Sequence, residues 1–556
     1  NVDSTSSSMT SESPPPTSRY DRQLRLWGDV GQRKLARARI AAIGVTPSTM
    51  ECMKCLVLGG CESFVIIDDG ARVDARLAGE LFEVSVDDVD GALSAAEVCV
   101  RALCALNPDA RGRALRAARD TLFVARDDET PEAFAGVDVV VAGGLSDAES
   151  VALERACTNG LTPFVITRAC GLFGETRTGA LERWATENVT PEGSQTSDLR
   201  LMTPWEQLSS YAEMKTCDLE RLDAAAFKHV PFVALLLRAT MRSGTRDRRA
   251  VKEALTSMRR GMDEENFDEA MANVRYTWTD TGAVPKEVDD VTREAAEMKN
   301  AGKLTLESDK FWFLALALRE FIDREGCLPL EGSIPDMTST TEAYVELQRL
   351  YADKAASDAL TVWQRALELA QEVGFLQPED FITERDAKSF CKNSRYVRFM
   401  KWKSLDTELY GTTGAAVDAL AVDAKDPTKA MSVAIFGVLR AADVFAFKHG
   451  HRPGVYNDMS STMDVCDEIE RLHADGEELV SLTTTWFTSR GVEAPECVAD
   501  VAHEVARYGD GQLHAVGAIL GGIASQEIIK IITQQYTPMT KRLIYDGVHS
   551  TTAYVG

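Results

Sequence analysis

The chain has 556 residues, is 45% hydrophobic and 26% charged, and sets 86 acidic side chains against 61 Lys and Arg, for a formal net charge of -25. That length supplies roughly two to four domains with real cores, and the charge works against nucleic acid and anionic membrane, so neither is expected as a partner. Twelve cysteines are too sparse for a disulfide framework, and no signal peptide or run of ~20 apolar residues stands out, which predicts a reducing address in the cytoplasm, the nucleus or both.

The opening stretch NVDSTSSSMTSESPPPTS has too few apolar side chains to offset its ordering entropy and predicts a disordered tail over 1–18. Tyr20, Leu24 and Trp27 then fall on one face of a short helix, with Arg22 and Arg25 displayed away from it. Apolar runs at 39–44 (RIAAIG), 63–68 (SFVIID), 121–125 (TLFVA) and 137–144 (VDVVVAGG) read as buried parallel strands, with helical patterns between the first pairs. This alternation predicts an α/β fold with a Rossmann-like doubly wound sheet. Further strands are predicted in 163–179 and 179–186.

From about 187 to 482 long amphipathic patterns take over, such as FWFLALALREFIDREG (311–326) and MSVAIFGVLRAADVFAFKHG (431–450). A large, mainly helical block is therefore expected inside an α/β unit spanning 19–186 and 483–556. The closing segment supports an insertion: HAVGAILGGIASQEIIKIITQQ reads as a core helix with close packing at Gly517 and Gly521, and RLIYDG and TTAYVG as strands that complete a sheet begun earlier. No internal repeat is visible.

The turn after the first strand carries the sharpest chemical signal. A GxGxxG turn uses its glycines to bring backbone N–H groups to a phosphate and to press helix on strand. Here Gly44 survives, but Thr46 and Thr49 replace the next two glycines, and Pro47 has no N–H to offer. Asp68, at the end of the second strand, sits where an acid would bind a ribose hydroxyl, although strand-end acids are common without that role. Elsewhere the plain reading holds: Cys52 and Cys55 form a lone CxxC on one helix face, HEVAR at 503–507 lacks the second histidine of HExxH, so no metal site is expected, and DEENFDE at 263–269 is a solvated helix start.

RYDRQLRLWGDVGQRKL with the broken turn, FWFLALALREFIDREGCLPLEGSIPDMTSTTEAYVELQRLYADKA, and ARYGDGQLHAVGAILGGIASQEIIKIIT together resemble the ubiquitin-like-protein activating enzymes. More narrowly, they resemble the regulatory subunits of heterodimeric neddylation activating enzymes, collinearly from about Arg19 to the end. The resemblance implies a pseudo-adenylation domain of ThiF/MoeB type and a helical insertion that corresponds to a catalytic-cysteine domain without its cysteine. It also implies a catalytic partner subunit that holds ATP and magnesium, a Nedd/Rub-type ubiquitin-like protein, a conjugating enzyme reached through the complex, and cullins as final targets. No cofactor is expected on this chain.

Active halves carry an arginine after the strand-end aspartate and later a lysine, both serving phosphate. Alignment on Phe82 puts Gly79, Glu80 and Leu81 at the first segment, and DGALSAAE (90–97) puts Ala95 at the second. A glutamate repels phosphate, so glycines and both cations are missing together. None of the cysteines has the Pro-x-Cys-Thr context of the thioester residue; Cys157 and Cys217 are the nearest approaches. The family's Tyr-Asp-Arg-Gln-Leu segment reaches the partner's nucleotide pocket, which assigns that role to Arg22, with Arg25 as a second candidate, against the plain reading of surface arginines. A small subunit of a sumoylation activating enzyme and a stand-alone Rossmann-type nucleotide enzyme remain as alternatives.

Overall fold

In the computed structural model, which describes residues 19–81, 84–89, 91–123, 132–159, 162–180, 182–185, 197–456 and 465–556, the first element is α1 (Asp21–Arg37), broken at Gly28 (φ 70°). The tail expected over 1–18 lies outside the described residues. A βα alternation follows: β1 (Arg39–Ile43), α2 (Pro47–Leu58), β2 (Ser63–Asp68), α3 (Ala95–Leu106), β3 (Arg111–Arg116), β4 (Val139–Gly143), α4 (Asp147–Asn159), β5 (Phe164–Cys170) and β6 (Phe173–Gly179).

A second compact unit, Trp184–Phe399, is mainly helical. It is centred on α5 (Lys310–Glu325) and the 33-residue α6 (Thr341–Val373). Phe311, Phe313, Leu318, Val362 and Leu369 build one of its cores.

The first unit resumes at Met400 with α7 (Leu405–Tyr410), α8 (Ala430–His449), α9 (Val465–Thr488), α10 (Val498–Tyr508), α11 (His514–Thr533), β7 (Arg542–Asp546) and β8 (Thr551–Val555). The strands form one eight-stranded sheet in the order β8-β7-β6-β5-β4-β1-β2-β3. β1 to β5 are mutually parallel, whereas β6, β7 and β8 extend the sheet antiparallel. Because β1 pairs with both β2 and β4, the strand order reverses there, and the crevice beyond the ends of β1 and β4 is the place where such sheets hold ligands.

Both faces of the sheet are buried at its inner strands β1, β2, β4 and β5, which is why these read as continuous apolar runs. Ile40 and Ala42 join a core under α2, α3 and α11, while their neighbours Ala41 and Ile43 join another with residues of α8 and α10. Gly517 and Gly521 bring α11 onto α2: a Cβ at Gly521 would lie 2.6 Å from Ser48 O and 2.7 Å from Cys52 N.

Three expectations need correction. TLFVA is not a strand: Thr121 and Leu122 end the short helix Arg119–Leu122, and 124–125 lie outside the described residues. The strand in that place is β3, RGRALR, whose alternating charges mark a sheet edge and hide the apolar signal. The sheet-bearing unit returns at Met400 rather than at 483, so α8, though helical, packs on β7 and β8. Finally, α8 and α11 are each long and apolar enough to cross a membrane, but their apolar windows are 67% and 56% buried within the protein, as befits core helices.

Candidate functional site

The crevice between β1 and β4 is filled from within. Gly44 turns the chain at φ 81°, and Thr46 then caps α2. The Thr46 amide donates to Thr49 Oγ1 (3.0 Å), the Thr49 amide donates to Thr46 Oγ1 (3.3 Å), and the Thr49 hydroxyl donates to Gly44 O (2.7 Å). Pro47 opens the helix without an N–H, and Ser48 meets the Thr167 hydroxyl at 2.8 Å. All four residues from Thr46 to Thr49 are buried. The two side chains that replace glycines thus consume the helix-end groups that an anion would use, and Thr46 lies over Gly143, where an added Cβ would come within 2.3 Å of its hydroxyl.

Around this plug runs a rim of charge. Arg119 donates to Gly144 O (3.0 Å) and stands 3.8 Å from Glu149. Burial raises the Asp68 carboxyl, Asp69 adds to the rise, and Arg119 opposes it. Glu80 accepts from the Gln512 amide (3.4 Å), and His514 Nδ1 meets Glu80 O (3.0 Å), so the glutamate is tied to the loop entering α11. Ala95 is fully buried in the first turn of α3, behind a Ser94–Glu97 capping box. The remaining cavity, between Pro47, Glu80, Arg119 and Arg452, measures about 190 Å³, below the ~300 Å³ at which ligand pockets begin.

Arg22 lies at the other end of α2. Asn107 donates to Tyr20 Oη (3.2 Å) and to Val57 O (2.9 Å), Trp27 Nε1 donates to Gln32 Oε1 (2.9 Å), and Gln32 donates to Gly59 O (2.9 Å). This pins the start of α1 to the C-terminal end of α2, whose 12 residues span about 18 Å. Arg22 is exposed, with no ion pair among the described residues, whereas Arg25 is held 2.9 Å from Asp21. The structure therefore adds a difference in pairing to the ranking that the resemblance implied, Arg22 before Arg25, and it keeps both away from this chain's own crevice.

A buried ion network was not foreseen. Arg168 pairs with Asp443 (2.6 Å), Arg440 with Asp147 (2.9 Å) and with Glu175, Arg542 with Glu175 (3.2 Å) and Glu408 (2.8 Å), and Arg177 with Glu408 (2.8 Å). Burial pushes the Asp147 carboxyl up to about 6 although Arg440 opposes it. For Glu175 the flanking Arg440 and Arg542 outweigh burial and hold it at about 2; Arg177 and Arg542 do the same for Glu408. Partners hundreds of residues apart gave no local signal; only charges set inside strand patterns, such as Glu175 and Arg177, hinted at it.

Neither of the two cysteines nearest the thioester context has an activating partner shown among the described residues. Cys157 is buried and pushed up to about 12 by burial, Cys52 is likewise raised by burial, and Cys55 is raised too. Cys217 is exposed, and its thiol donates to Met214 O at 3.4 Å. DEENFDE forms the start of the helix Glu265–Ala272, with Asp263 on Lys228 at 2.7 Å.

Residues 20–555 match the ThiF family, and with the sheet and its switch-point crevice this defines a ThiF-family protein. The chain is 32% identical over 545 residues to the NEDD8-activating enzyme E1 regulatory subunit AXL of Arabidopsis thaliana, covering 96% of this chain and 98% of the relative. It is 32% identical over 553 residues to the NEDD8-activating enzyme E1 regulatory subunit of Gallus gallus (96% and 97%), and 25% identical over 557 residues to that of Saccharomyces cerevisiae (96% and 99%). The chain belongs to the family of NEDD8-activating enzyme E1 regulatory subunits.

Proposed function

We propose that this chain is the non-catalytic half of a heterodimeric activating enzyme for a Nedd/Rub-type ubiquitin-like protein, working in the cytoplasm or nucleus upstream of cullin modification. A catalytic partner subunit binds ATP and magnesium. It adenylates the C-terminal glycine of the modifier with release of pyrophosphate, then takes the modifier as a thioester on its own cysteine with release of AMP. A conjugating enzyme receives the modifier from there. This chain binds no nucleotide; it lends the interface and, from the start of α1, the Arg22 guanidinium, whose planar fork and permanent charge suit phosphate oxygens.

The observation that carries this reading is the mutual capping of Thr46 and Thr49, which spends on the helix itself the groups a phosphate would need. The names of full-length relatives on both sides of the plant–animal divide support the choice of modifier. The test mixes the purified chain with a catalytic subunit of the same family, ATP, magnesium and the modifier, and follows thioester formation on non-reducing gels. Only the pair is expected to form it; adenylate or thioester made by this chain alone contradicts the reading.

A further inference from the structure

The HEVAR segment finds its missing histidine on another helix. His473 and Glu477 stand one turn apart on α9, and His503 faces them from α10; one ligand atom from each lies within 4.8 Å of the others. Glu504, the acid next to His503 in the sequence, is spent on Arg507 at 2.6 Å, and Glu477 takes its place, 3.2 Å from His503 Nε2.

Two of the spacings are those of ligands that share one ion. Two ligand atoms at ~2.0–2.1 Å from a tetrahedral zinc are about 3.3 Å apart, and two imidazole rings on it have centroids roughly 5 Å apart. Here the Glu477–His503 separation is 3.2 Å and the His473–His503 ring centroids are 5.0 Å apart. Gly476 permits the approach: a Cβ there would lie 2.1 Å from His503 Nδ1, so that ring edge rests on α9 while Nε2 is turned to Glu477. His473 and Glu477 are exposed and His503 half-buried, which leaves room for water on the open side of an ion.

We propose that His473, Glu477 and His503 form a binding site for one divalent cation of the zinc class, two imidazoles and a carboxylate being a donor set suited to such ions. The ion clips α9 to α10 on the outside of the sheet-bearing unit. This site is separate from the proposed adenylation role and stands or falls without it.

The full chain is titrated with Zn2+ against a chromophoric chelator, and Co2+ is used as an optical probe. The site predicts one equivalent of Zn2+, a Co2+ spectrum free of thiolate charge-transfer absorption, and a rise in melting temperature with Zn2+. His473→Ala and Glu477→Gln, both at exposed positions that leave the packing of His503 on Gly476 intact, are each expected to weaken binding at least ~10-fold and to abolish the thermal shift. Failure of the wild-type chain to bind, binding retained in the His473→Ala/Glu477→Gln double variant, or a thiolate-bound Co2+ spectrum overturns the proposal.

Discussion

Thr46 and Thr49 hold each other across the first turn of α2, each amide donating to the other's hydroxyl at 3.0 and 3.3 Å. Replacing Thr46 by alanine breaks this box at a buried helix start and is expected to cost about 1 kcal/mol, with an upper end near 2, seen as a lower denaturant midpoint. Because Pro47 remains, the variant is still expected to bind no fluorescent ATP analogue.

Arg25 is exposed and engaged by Asp21, and exposed pairs contribute little. Arg25→Ala is therefore expected to leave the stability of the chain within ~0.5 kcal/mol of wild type and the thioester rate of the reconstituted pair within about twofold. Urea unfolding and a single-turnover charging assay check both.

Glu408 and Asp147 should depend on pH with opposite signs. Glu408, at about 2, lies below the ~4.3 of an unfolded glutamate, so its contribution of about 3 kcal/mol is present above that value and is lost as the pH falls toward 2. Asp147, at about 6, lies above the ~3.9 of an unfolded aspartate, so its contribution is fullest at low pH and falls as the pH rises from 4 to 7. Wild-type stability minus that of Glu408→Gln should grow from pH 2 to 5, while wild-type stability minus that of Asp147→Asn should shrink from pH 4 to 7; urea unfolding across pH measures both.

Adjacent glycines in α11 should respond in opposite directions. A Cβ at Gly521 would strike the backbone of α2, whereas one at Gly522 meets nothing within 4 Å. Gly522→Ala should stabilise by about 0.5–1 kcal/mol through helix propensity, and Gly521→Ala should destabilise by roughly 1–3 kcal/mol as the helices separate. Melting temperatures of the two variants decide the point.

How much of this was legible depended on the range of the interaction. Strands buried on both faces, such as RIAAI and SFVIID, announce themselves, and so do a cap and a proline within four residues. The edge strand RGRALR does not, because half of its surface is wet and its arginines break the apolar run. TLFVA misled because a short apolar run cannot be told from a helix end by its pattern alone, and Thr121 and Leu122 end a short helix. The lost cations at Glu80 and Ala95 could be aligned, but that Glu80 anchors the Gln512 amide could not be, since the two are brought together only by the fold. The Arg168–Asp443 and Arg177–Glu408 pairs and the His473–His503 approach were invisible for the same reason. Only the position of Asp21 on the built helix shows that Arg25 is engaged while, among the described residues, Arg22 is not.

In the proposed role this chain closes its own crevice and completes that of its partner. The most direct measurement is ATP–pyrophosphate exchange by the reconstituted heterodimer carrying Arg22→Ala, with gel filtration to show that the pair still forms. Loss of a charged hydrogen bond to phosphate predicts a rate lower by about 10- to 100-fold with association intact. Exchange at the wild-type rate by that variant, or exchange by this chain without its partner, would contradict the account.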